Sequence, residues 1–98
     1  MPDEAVALRG MRIAYLEHLG EELRSRGLTV QIMEPRNGPP SLRVVNPGAS
    51  ALVETILAER AADGWWYWWS WAERIAAVDE TGEAAERIAR VLATASTV

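Results

Sequence analysis

Asp63-Gly64-Trp65-Trp66-Tyr67-Trp68-Trp69-Ser70-Trp71 holds all five tryptophans of the chain, and its reading decides the fold. Large aromatics favour a pleated, half-buried surface, so the run from Trp65 predicts a strand. Asp63-Gly64 is the strongest hairpin signal present, because both central positions of a type I′ turn need positive φ. The preceding strand is then Val53 to Arg60. A turn centred on Asp63-Gly64 sets Tyr67 opposite Arg60, Trp69 opposite Ala58 and Trp71 opposite Ile56 on one face. The other face sets Trp66, Trp68 and Ser70 opposite Ala61, Glu59 and Leu57. Large rings against small or aliphatic partners fill a core, so Tyr67, Trp69 and Trp71 are expected inside. Glu59, Ser70 and Thr55 mixed with Trp66, Trp68 and Leu57 suit a partly wet outer surface.

Upstream, Leu28, Val30 and Ile32 alternate with Thr29, Gln31 and Met33, the period of a strand with one buried face. Leu42 and Val44 continue the pattern, and they share a face with Val30 and Ile32 only if the intervening loop has odd length. A bulged or longer turn is therefore expected around Asn37 and Gly38, helped by Pro39 and Pro40, which cannot donate ladder hydrogen bonds. Asn46-Pro47-Gly48 ends the second strand. Before these strands, Leu8, Met11, Tyr15, Leu19 and Leu23 recur at helical spacing, with Asp3 as a possible cap and Gly27 as the stop. Gly10 and Gly20 weaken that helix, so either its first turns fray or a neighbour comes close at one of them. After them, Asp79 or Thr81 can cap a closing helix with an apolar stripe of Ala85, Ile88, Val91 and Leu92. The expectation is one α+β domain over residues 1–98: a four-stranded antiparallel meander, with strands near 28–34, 41–46, 53–60 and 65–72. An N-terminal and a C-terminal helix pack on one face.

The composition narrows the chemistry. The chain has 98 residues, 49% hydrophobic and 24% charged, which suits one folded domain and one core. Zero cysteines exclude disulfides, thiolate metal sites and cysteine nucleophiles. All ten basic residues are arginine, a bias that fits GC-rich coding, and without lysine there is no Schiff base and no Walker-type phosphate lysine. A net charge of −4 argues against nucleic acid as a partner. No signal peptide and no membrane-spanning run are read, so a cytoplasmic protein is expected.

No catalytic pattern emerges. His18 sits beside the stripe of the first helix without a visible partner set, where a partly buried structural role is the common one. Glu17, Glu21 and Glu22 read as a solvated helix face, and a metal is not expected from carboxylates without histidine. No Gly-x-Ser-x-Gly and no glycine-rich phosphate loop occur, so neither an enzyme nor a cofactor is expected. The outer face remains. Its rings could fold over the sheet and cover backbone, but adjacent tryptophans on an open sheet point to a contact site. Trp66, Trp68, Leu57 and Glu59 are the candidate binding residues. The expected function is a non-catalytic protein-interaction module, with a partner protein or a second copy in a homodimer. The alternative is a small-ligand or peptide site that stacks planar groups on Trp66 and Trp68.

The run from Asp63 to Trp71, with Arg43-Val44-Val45-Asn46-Pro47 before it and an alanine- and arginine-rich helix after it, resembles small tryptophan-rich-strand proteins of GC-rich bacteria. The resemblance covers most of the chain and implies a recurring domain. It brings no activity and no functional residue.

Overall fold

The computed structural model describes residues 4–48 and 52–94. Helix α1 (Glu4–Ser25) leads into strands β1 (Thr29–Met33), β2 (Ser41–Val45), β3 (Val53–Ala61), β4 (Gly64–Trp69) and β5 (Arg74–Ala77), and helix α2 (Thr81–Thr94) closes the order. The five strands form one antiparallel meander, β1-β2-β3-β4-β5. The α+β architecture is as expected, but the sheet has five strands rather than four. Both helices pack on the face that carries Leu42, Val44, Ile56, Ala58 and Tyr67, and Leu16, Leu19, Leu23, Ala84, Ala85, Ile88 and Leu92 complete the core. Among the described residues no helix is long and apolar enough to cross a membrane.

The odd loop is present. Met33 pairs with Ser41, so Val30 lies opposite Val44 and Ile32 opposite Leu42, all on the helix side. The β3–β4 hairpin differs from the sequence expectation by two residues. Ala61 pairs with Gly64, so the turn is Ala62-Asp63, and of the turn residues Gly64 alone takes a positive φ, +123°. A turn whose central residues stay at negative φ with glycine after it belongs to the type I family, not to I′. Tyr67 therefore faces Ala58, Trp69 faces Ile56, Trp66 faces Glu59 and Trp68 faces Leu57. A shift of two leaves every side chain on its expected face, because the pleat repeats every two residues.

β4 stops at Trp69, short of the expected 72. Ala72 donates to the Trp69 carbonyl (3.0 Å) and Trp69 donates to the Glu73 carbonyl (2.8 Å), a tight reversal that holds Ala72 at φ +68°. Trp71 thus leaves the strand and is 53% exposed, not in the core. The reversal feeds β5, whose pairing shifts register between Tyr67 and Trp68.

Helix α1 buries Leu16, Leu19, Gly20 and Leu23, while Met11 is exposed. The stripe is rotated from the expected one because Gly20 is the point of contact: a Cβ there would lie 3.3 Å from Val30 Cγ2, so the absent side chain lets β1 come close. Gly27, at φ +87°, ends the helix as expected. Asp3 lies outside the described residues. His18 is exposed rather than partly buried. In α2 the stripe holds at Ala85, Ile88 and Leu92, but Val91 faces solvent. Neither expected cap acts through its side chain in the described contacts: Ala84 donates to the Glu80 carbonyl, and the Thr81 hydroxyl donates to the Val78 carbonyl.

A Cβ at Gly10 meets nothing within 4 Å. Gly10→Ala is therefore expected to raise stability by about 0.5–1 kcal/mol through helix propensity, measured by urea unfolding. A loss of stability would show that the N-terminal half of α1 is not helical in solution.

Candidate interaction face

With both helices on one side, the opposite face of the sheet has no described element over it. β3 presents Val53, Thr55, Leu57, Glu59 and Ala61 there, and β4 presents Trp66 and Trp68. The two indoles are half-buried rather than exposed, and the cause is local. Arg74, placed beside Trp68 by the β4–β5 register, lays its guanidinium 4.4 Å from the Trp66 ring centroid and 5.3 Å from that of Trp68. Asp63 fixes this arrangement: Arg74 donates to one carboxylate oxygen (3.1 Å) and Trp66 Nε1–H to the other (3.2 Å). The Arg74 hydrogen bond holds the Asp63 carboxyl below its ordinary value, outweighing the opposing desolvation, with smaller contributions from the backbone, the Arg74 charge and Trp66. Asp63 is thus a turn residue and an anchor at once. Its position next to Gly64 hinted only at the first role.

No protein-family model, curated protein or solved structure matches the chain.

Trp68 Nε1–H reaches diagonally across to β3 and donates to the Glu59 carbonyl (3.4 Å), and the ring borders a shallow groove. Leu57, Glu59, Trp69, Ser70 and Ala72 complete the lining, around a volume of about 300 Å³. Of the four residues singled out in the sequence, Leu57, Glu59 and Trp68 meet here, and Trp66 lies next door under Arg74. The Ser70–Ala72 wall was not anticipated, since it depends on the reversal after Trp69.

Glu59 is already engaged. Arg12 of α1 donates to its carboxylate at 2.9 Å, with both side chains partly exposed. Arg12 also lies 6.0 Å from the centroid of Trp65, which packs against Tyr15 at 5.3 Å. A second groove of about 490 Å³ runs between the first turns of α1, Gly38 to Pro40 and Glu59. Its arginines are structural: Arg9 donates to the carbonyls of Gly38 (3.0 Å) and Pro35 (3.4 Å), tying the β1–β2 loop to the helix. Among the described residues no cluster of His, Asp and Glu could hold a metal ion.

Proposed function

We propose that this domain is a non-catalytic protein-interaction module of the cytoplasm, which seats a partner polypeptide on the outer sheet face at Leu57 and Trp68. The observation that supports this reading is the uncovered face itself: a strand-built surface whose half-buried indoles are held in place by Asp63 and Arg74. Rigid, oriented aromatics lose little entropy on binding and are the side chains most often found at interface hot spots. The groove is open and none of the described residues forms a lid over it, which favours a broad contact of about 800 Å² per partner over an enclosed ligand. The competing small-ligand reading draws on the apolar groove beside Trp68, where a planar group could lie against the exposed side of the ring.

A partner captured on the wild-type protein, purified and titrated back, should bind the Leu57→Ala/Trp68→Ala variant at least about tenfold more weakly, as expected for hot-spot residues. The variant should retain cooperative unfolding. Unchanged affinity would refute the proposed seat. If the variant instead loses only the quenching of tryptophan emission by a planar aromatic compound that does not itself emit in the tryptophan range, the small-ligand reading is the correct one.

A further inference from the structure

The two edges of the sheet differ. At β5 the free edge is blocked: the strand is short, its register shifts at Tyr67/Trp68, and Arg87 of α2 donates to the outward carbonyl of Ile75. Register shifts and charged side chains are the usual devices that keep edges from pairing. β1 carries none of them. Its sequence, Thr29-Val30-Gln31-Ile32-Met33, has no charge and no proline, and it pairs with β2 without a bulge.

The hydrogen-bond alternation identifies what this edge offers. Asn46 N–H reaches the Leu52 carbonyl, so in β2 the even-numbered residues bond to β3 and Ser41, Arg43 and Val45 bond to β1. Their β1 partners are Met33, Gln31 and Thr29. The backbone groups of Val30 and Ile32 therefore point outward, and among the described residues nothing bonds to them. Their side chains, on the helix side, are only half-buried.

We infer that β1 pairs antiparallel with β1 of a second copy of this chain, about a two-fold axis through Gln31, to form a continuous ten-stranded sheet. The strand is complementary to itself in this register. Val30 meets Ile32 of the second copy in a hydrogen-bonded pair, and the reciprocal pair does the same, so all four outward backbone groups on each chain are satisfied. These apolar side chains extend the helix-side core across the axis. Thr29 meets Met33, which is 38% exposed in the single chain, and Gln31 meets its own copy amide to amide. No like charges face one another. The contact is distinct from the groove at Leu57 and Trp68 and stands without it, and it would place two such grooves on one uninterrupted face.

Sedimentation of the wild-type protein from micromolar to sub-millimolar concentration is expected to reach twice the 10.8 kDa chain mass. Gln31 is exposed, so charging it leaves the fold intact while setting like charges opposite each other at the axis. Gln31→Lys and Gln31→Glu should each weaken the dimer severalfold, and an equimolar mixture of the two should restore it. Amide exchange at Val30 and Ile32 should slow as the wild-type concentration rises. A wild type that stays monomeric throughout overturns the inference, as does a dimer indifferent to both charges. A dimer that ignores Gln31 but dissociates in Leu57→Ala/Trp68→Ala would lie on the outer face instead, supporting the proposed seat while refuting the edge.

Discussion

Trp69→Ala is expected to destabilise the domain by about 3–5 kcal/mol, the usual cost of emptying a buried indole site, whereas Trp71→Ala should cost only about 1 kcal/mol. The residues are two apart and their rings stack at 4.8 Å and 6°. Their surroundings differ. Trp69 is 5% exposed, opposite Ile56 within the core, and its backbone closes the reversal that feeds β5. Trp71 covers it from outside and loses mainly the stacking contact. Urea unfolding of the two variants, with slopes compared to confirm a two-state transition, decides the matter. Equal losses would mean that both rings share the core, as uninterrupted alternation through residue 71 would require.

The second large effect is alkaline. Tyr67 is fully buried, and its hydroxyl donates to the Tyr15 carbonyl of α1 at 2.8 Å. Burial pushes its pKa up from 10.0 to about 12. The folded state therefore holds the phenolic proton more tightly than the unfolded chain. Its contribution is fully present below pH 10 and is lost as the pH rises towards 12, because the unfolded state releases the proton first. Two pKa units correspond to roughly 2–3 kcal/mol. Tyr67→Phe should cost about 1 kcal/mol at neutral pH for the lost hydrogen bond, and it should abolish most of the decline between pH 10 and 12. Unfolding curves across that interval test both parts. A variant that declines as steeply as the wild type would place the titrating group elsewhere.

The candidate face was legible in part. Alternation along Trp65 to Trp69 separated Trp66 and Trp68 from Tyr67 and Trp69, and the two-residue error in the hairpin did not disturb that separation. The clamp over the indoles was not legible. Arg74 belongs to a four-residue strand, Arg-Ile-Ala-Ala, whose composition favours no strand and whose entry turn rests on Ala72 at positive φ, where sequence rules look for glycine or asparagine. The Arg12–Glu59 pair spans 47 positions and could not be anticipated from either residue's neighbours.

Local pattern was sufficient for the order of the two helices and the first four strands, for the odd loop between β1 and β2, and for the inward placement of Leu42, Val44, Ile56 and Tyr67. Those features follow from periods of two and 3.6 and from glycine stops, which a short window of chain already expresses. The rotation of α1, the end of β4 and the existence of β5 required the assembled sheet. Each depends on a contact between distant segments: Gly20 against Val30, Ser70 N–H on the Thr55 carbonyl, and Val78 N–H on the Trp65 carbonyl. Such contacts override weak local preference, because a buried backbone group must find a partner wherever the fold supplies one. The half-burial of Trp66 and Trp68 is set the same way, by an arginine delivered from the neighbouring strand.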